Sequence, residues 1–203
     1  MYRAFGKRFL DILLSLLALL ILWPIMLLTA LWIKLDSKGP VLFRQQRVGK
    51  DQHIFEMYKF RTMRIDAPHD VPTHLLKNPE KCITKCGRFL RKTSLDELPQ
   101  IWNILIGDMS IVGPRPALWN QYDLIEARNE CSVNCIRPGL TGWAQINGRD
   151  ELSVSEKVRF DAEYVCAMGF LFDCRCVLGT VGKVLRSDGV VEGETIEREI
   201  SVK

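Results

Sequence analysis

Apolar positions are spread unevenly along this chain. From Ile12 to Ile33 there are 22 consecutive residues without a charged side chain, and after residue 36 the pattern breaks into short alternating or amphipathic pieces. As one straight helix the first stretch would extend about 33 Å, close to the ~30 Å of a bilayer core. Two features argue against a plain single crossing. Pro24, near the middle, removes a backbone hydrogen bond and kinks a helix. Basic residues flank both ends, with Arg3, Lys7 and Arg8 before the run and Lys34, Lys38, Arg44 and Arg47 after it. A crossing helix distributes such charges asymmetrically. Each half alone reaches only about 18 Å. A helix–break–helix that enters and leaves by one face accommodates the proline and the charges, whereas a single crossing accommodates the length. A signal peptide fits less well, because no small-x-small cleavage site closes the run.

Past residue 40 two short β-type runs at 41–45 and 54–60, around a Gly49–Gln52 turn, predict a β-hairpin. Residues 64–80 collect prolines, Asp66, His69, Asp70, His74 and Asn78, the composition of a loop. Lone histidines in such a loop are read as solvated. Helix returns from Gly87. Leu98, Ile101, Trp102, Leu105 and Ile106 follow helical spacing and predict one apolar face, ended by Gly107 as a C-cap. Gly113–Pro116 reads as a rigid turn, 119–134 as a polar helix and 137–143 as a punctuated loop. Two further helices are expected at 154–167 and 170–185. The last is basic and amphipathic, a pattern that suits either the membrane interface or a core-facing helix. The fold class is thus α+β and mostly helical. It comprises a membrane segment at 1–38 and a single catalytic-sized unit at 39–203, with no internal repeat or linker.

Composition adds less. A net charge of +4 over 203 residues suits a membrane surface or anionic substrates. No nucleic-acid-binding signature accompanies it, so nucleic acid is not an expected partner. Seven cysteines, an odd number, point to reduced thiols in the cytosol. Cys82/Cys86 and Cys131/Cys135 share a C-x₃-C spacing that could suggest zinc. The segments read as helical, however, and structural thiols are the better reading.

Chemistry concentrates at Asp96 and Glu97. Ser94 and Glu97 have the spacing of a capping box, and acids in a first helical turn suit the macrodipole. Alone, the pair reads as structural. Arg91, Arg115 and Arg149 each sit beside a turn that fixes direction, and guanidinium groups converging on one place would bind a diphosphate bidentately.

Long runs then become recognisable: Tyr58-Lys-Phe-Arg-Thr-Met63, Arg91-Lys-Thr-Ser-Leu-Asp-Glu-Leu-Pro-Gln100, Gly107-Asp-Met-Ser-Ile-Val-Gly-Pro-Arg-Pro116, Arg137-Pro-Gly-Leu-Thr-Gly-Trp-Ala-Gln-Ile-Asn-Gly-Arg149 and Phe160-Asp-Ala-Glu-Tyr-Val165. In order and spacing, from Phe9 to about Gly189, the chain resembles the small monotopic phosphoglycosyl transferases of the bacterial sugar transferase family. The resemblance implies that Asp96 is a nucleophile attacking the β-phosphate of a UDP-sugar. UMP would leave, and undecaprenyl phosphate would accept the sugar phosphate in a second displacement. It implies that Glu97 is the partner acid, holding Mg²⁺ together with Asp96 or handling protons. Arg91, Arg115, Arg149 and Lys59 would bind phosphate, and Lys59 and Arg61 would extend a basic surface toward the lipid. It also favours the re-entrant form broken at Pro24, with interfacial helices and an active site on the cytoplasmic face of the bacterial inner membrane. One departure is Trp23, where relatives often place a small Ser. The sugar and the oligomeric state are not legible.

Overall fold

A computed structural model describes residues 2–68, 79–148 and 151–186. The fold is α+β and mostly helical, with a short antiparallel hairpin and one long apolar helix at the start. A π-helical turn at Tyr2–Gly6 leads into α1 (Lys7–Asp36), which continues through Pro24 as one helix, without the break in helical structure expected there. A proline deletes only the bond of its own nitrogen, and the turns on either side hold. α1 is long and apolar enough to cross a membrane. Its buried positions fall at its two ends, Asp11 with Ser15 and Thr29 with Ile33, each pair one turn apart. Between them Leu20, Ile21, Trp23, Leu27 and Leu28 are all more than half exposed.

Both ends of α1 are bonded to the rest of the protein. Near the start, Arg8 donates to the carbonyls of Ile104 and Leu105 at 2.6 and 2.9 Å, and the Asp11 carboxylate accepts from Ile111 N at 3.0 Å. Near the finish, Asp36 accepts from Cys86 N at 3.1 Å, and Ile33 packs with Phe60, Cys86 and Leu90.

The hairpin follows as β1 (Leu42–Val48) and β2 (Ile54–Phe60), antiparallel with Leu42 opposite Phe60 and Val48 opposite Ile54. β1 runs three residues beyond the expected 45, because Gln46, Arg47 and Val48 have cross-strand partners that outweigh their polar character. At the tip, Asp51 and Gln52 take left-handed backbone at φ 51° and 62°. Next come α2 (Pro79–Cys82), α3 (Lys85–Lys92), a 3-10 turn at Leu95–Glu97 and α4 (Gln100–Ile106). The remainder is β3 (Ser110–Val112), α5 (Tyr122–Glu130), β4 (Gly139–Thr141), α6 (Trp143–Ile146), α7 (Val154–Ala167) and α8 (Phe170–Arg186).

Three further expectations change. α5 stops at Glu130 rather than 134, giving way to a left-handed turn at Ser132. β3 and β4 pair in parallel, β4 lying where the sequence read a loop; three-residue strands are too short to show a period. In α4 the buried side is Gln100, Ile101, Asn103 and Ile104, while Trp102 and Ile106 are half exposed. Asn103 sets this orientation, accepting from Tyr58 N at 3.0 Å and donating to Glu56 O at 2.7 Å. Gly107 does close α4, at φ 103°.

α7 and α8 are fastened to the chain's start through Asp173. Its carboxylate accepts from Tyr2 Oη at 2.5 Å, Lys7 Nζ at 2.6 Å and Tyr164 Oη at 2.7 Å, with Tyr164 fully buried. Replacing Asp173 by Leu strands the Lys7 ammonium and two phenols in a poorly hydrated site. The expected loss is ~3–5 kcal/mol of stability, read as a lowered thermal midpoint in detergent; an unchanged midpoint would refute the role.

All seven cysteines are free thiols. Among the described residues no group of three or more His, Cys, Asp or Glu side chains is arranged to hold a metal ion. His69 and His74 lie outside the described residues. Burial pushes the Cys86 thiol up to about 11, with Asp36 adding to the effect, and burial beside Asp173 pushes Cys176 up to about 12. At pH 8 both are expected to resist alkylation while exposed Cys131, Cys135 and Cys166 react. Peptide mass mapping after brief iodoacetamide treatment reads this directly, and early modification of Cys86 would contradict it.

Candidate active site

β2 delivers the first component. Side chains alternate along a strand, so Phe55, Met57 and Lys59 share a face. Phe55 and Met57 enter the core with Ile104 and Met109, and Lys59 is carried to the edge of that core. Phe60, on the other face, packs beneath α1 against Ile33 and Leu90. The strand therefore joins the membrane-type helix to the polar site through one adjacent pair of residues.

The second component is the turn that presents Asp96 and Glu97. Ser94 adopts left-handed backbone at φ 56° and makes no side-chain cap, so the expected capping box does not form. The Ser–x–x–Glu device is realised instead at Ser153 and Glu156, at the head of α7. The sharp reversal at Ser94 separates α3 from the 3-10 turn, and Pro99 then precedes α4. Asp96 and Glu97 are thus held in a single short turn packed against β2, not in the first turn of a long helix.

Glu97 Oε1 lies 2.9 Å from Lys59 Nζ and 3.6 Å from Arg115 Nη2. The Lys59 and Glu97 side chains are only 16% and 14% exposed, so solvent screens this pairing weakly. Burial holds the Lys59 ammonium below the usual lysine range. Glu97 opposes that shift, Arg115 adds to it, and Asp96 again opposes it. Lys59 thus feels both carboxylates and the arginine at once. A compact patch of alternating charge results, with two adjacent carboxylates in front of two cations.

Arg115 reaches the patch from the Gly113–Pro116 turn. Arg91, in the last turn of α3, donates from Nε to Thr62 Oγ1 at 3.0 Å, and α3 as an element packs against the acidic turn. Arg61 does not extend a basic surface. It is buried and donates to the carbonyls of Ser37 and Lys38 and to Ser37 Oγ, which clamps the end of α1 to β2. Arg149 lies outside the described residues. Sequence reading overlooked Thr62, although it stands inside the recognisable run at 58–63. It also overlooked Arg128, which sits in a polar helix with no local signal. Two neighbouring carboxylates make a partial shell of the kind that Mg²⁺ completes with substrate phosphate oxygens and water. That donor set fits an ion shared with substrate, not one caged by protein alone.

The family model described as bacterial sugar transferase matches residues 2–187. The chain belongs to that family. It is 46% identical over 186 residues to a UDP-glucose:undecaprenyl-phosphate glucose-1-phosphate transferase of Escherichia coli, covering 87% of this chain and 39% of that protein. To a UDP-N-acetylgalactosamine-undecaprenyl-phosphate N-acetylgalactosaminephosphotransferase of Aeromonas hydrophila it is 36% identical over 191 residues, covering 92% and 45%. To the uncharacterized sugar transferase EpsL of Bacillus subtilis it is 39% identical over 193 residues, covering 95% and 94%. This bacterial sugar transferase therefore spans about two-fifths of the length of the first of these relatives and nearly all of the last.

Proposed function

We propose that this chain transfers a sugar 1-phosphate from a UDP-sugar to undecaprenyl phosphate through a covalent intermediate on Asp96. The supporting observation is the placement of Asp96 and Glu97 on one short turn, with Glu97 held between Lys59 and Arg115. A carboxylate oxygen of Asp96 attacks the β-phosphorus of the UDP-sugar. The bond between that phosphorus and the α–β bridging oxygen breaks, and UMP leaves with the oxygen. An oxygen of undecaprenyl phosphate then attacks the same phosphorus, releasing the sugar diphosphate lipid and restoring Asp96. Two like-charged reactants repel, and fixed cations offset this repulsion where charge moves onto the leaving group. Arg115 and Lys59 fill that role here, and Glu97 keeps both in place between turnovers. Mg²⁺, bound by Asp96, Glu97 and substrate phosphate, would neutralise further charge on the diphosphate. Arg91 and Arg149 complete the phosphate-binding set in this reading.

The lipid end follows from α1. A helix that crosses a bilayer has its ends on opposite sides, yet both ends of α1 are bonded to one body. That tethering supports a segment that enters and leaves by the same face, with Pro24 at its deepest part. The catalytic unit then stays on the cytoplasmic face of the inner membrane, level with the lipid phosphate. Cysteine-light variants carrying single thiols at residues 2 and 203 should both resist labelling from outside spheroplasts. Labelling of one end would favour a single crossing.

The relatives' names differ in their sugar, so the decisive experiment is a UDP-sugar panel with undecaprenyl phosphate and Mg²⁺, scored by the nucleotide released. One sugar should yield UMP, including a single-turnover burst without acceptor. Release of UDP would instead indicate transfer of the sugar without its phosphate and would overturn the proposal.

A further inference from the structure

We propose that Arg128, locked to Asp161, is a positioning residue that holds the backbone of Arg115 so that its guanidinium meets Glu97. The inference rests on the reading that Arg115 serves the phosphate-binding site. Arg128 lies on α5 and Asp161 on α7, and their side chains are 5% and 1% exposed. Nε and Nη2 of Arg128 both donate to Asp161 Oδ2, at 3.0 and 2.6 Å. A guanidinium is planar and rigid, so two bonds on one edge fix its plane and the direction of the third nitrogen. That nitrogen, Nη1, donates to the carbonyl oxygen of Arg115 at 2.9 Å.

Stability alone does not call for this pair. The same α5–α7 contact contains an apolar layer, in which Leu124 and Val158 pack with Val48 and Ala117. Buried ion pairs are commonly replaced by apolar residues of similar volume without loss of stability. What an apolar pair cannot do is donate to a carbonyl. The segment around Arg115 makes that donation matter, because it is an irregular stretch whose shape is set by its carbonyl partners. Pro114 O accepts from Gly139 N at 2.8 Å, Pro116 O from Arg47 Nη1 at 2.9 Å and Ala117 O from Val48 N at 3.0 Å. Arg128 supplies the bond at Arg115 itself. The influence of the pair passes through the Pro–Arg–Pro backbone, by the bond to the Arg115 carbonyl.

The test is a double-mutant cycle in full-length protein, reading kcat/KM for UMP release and the thermal midpoint. Arg128→Met with Asp161→Leu leaves no lone buried charge. We expect it to keep the wild-type midpoint within a few degrees and to lower kcat/KM by about 10–100-fold, the scale of a small misplacement of a phosphate-binding group. In an Arg115→Ala background the same double substitution should cost less than about two-fold, because the residue it positions is gone. Should the apolar pair fail to fold, Arg128→Lys keeps the charge but cannot make all three bonds, and the same cycle applies. An equal loss in both backgrounds, or no loss where Arg115→Ala is impaired, overturns the positioning role alone. Wild-type kinetics for Arg115→Ala would overturn the reading of Arg115 as well.

Discussion

Asp96→Asn is expected to abolish turnover, by at least about 10³-fold, and to abolish the phosphosugar adduct on the protein. The substitution preserves shape and replaces a nucleophilic carboxylate with an amide that does not attack phosphorus. Asp96 lies half-buried in a 3-10 turn whose geometry is set by Ser94 before it and Pro99 after it, so the fold should be retained. Intact-protein mass spectrometry after incubation with the accepted UDP-sugar reads the adduct, and UMP release reads turnover. Substantial turnover in the variant would end the covalent reading, even if the overall reaction stood.

Glu97→Gln is expected to lower kcat by ~10²–10³ and to move the alkaline limb of the pH–rate profile toward lower pH. The direction follows from Lys59. Burial already depresses its ammonium, and Glu97 is the foremost group opposing that depression. Without the negative charge at 97 the lysine loses its proton at a lower pH. Any step that needs the Lys59 ammonium then fails earlier as pH rises. A profile displaced upward, or one unmoved alongside full activity, would remove the Glu97–Lys59 pairing from the mechanism.

How much of this was legible beforehand divides along physical lines. β-type runs on either side of a turn located the hairpin, and longer stretches of helical composition located α7 and α8, because each element is long enough to carry a local signal. Periodicity gave the wrong buried face for α4, where Asn103 overrides the apolar count by bonding to the β2 backbone. Three-residue strands left no trace. At the site, Asp96 and Glu97 carried a misleading local signal, since the Ser94 spacing imitates a cap that its left-handed backbone does not make. Resemblance supplied what spacing could not. Lys59 meeting Glu97 across 38 positions, like Arg128 meeting Asp161 across 33, is a tertiary fact with no local signature.

The knot at Asp173 carries a consequence for synthesis. Tyr2 and Asp173 are 171 positions apart, and Arg3 bonds to Met168 across 165. At ~5–20 residues per second the beginning of the chain waits roughly 10–30 s for these partners to leave the ribosome. The partners of the α1 ends, Cys86 and Ile104–Ile111, emerge part-way through that wait, and until then the apolar run has no protein surface to cover its ends. The bilayer is the one solvent able to hold it, so membrane capture should precede, and template, the closure of the catalytic unit.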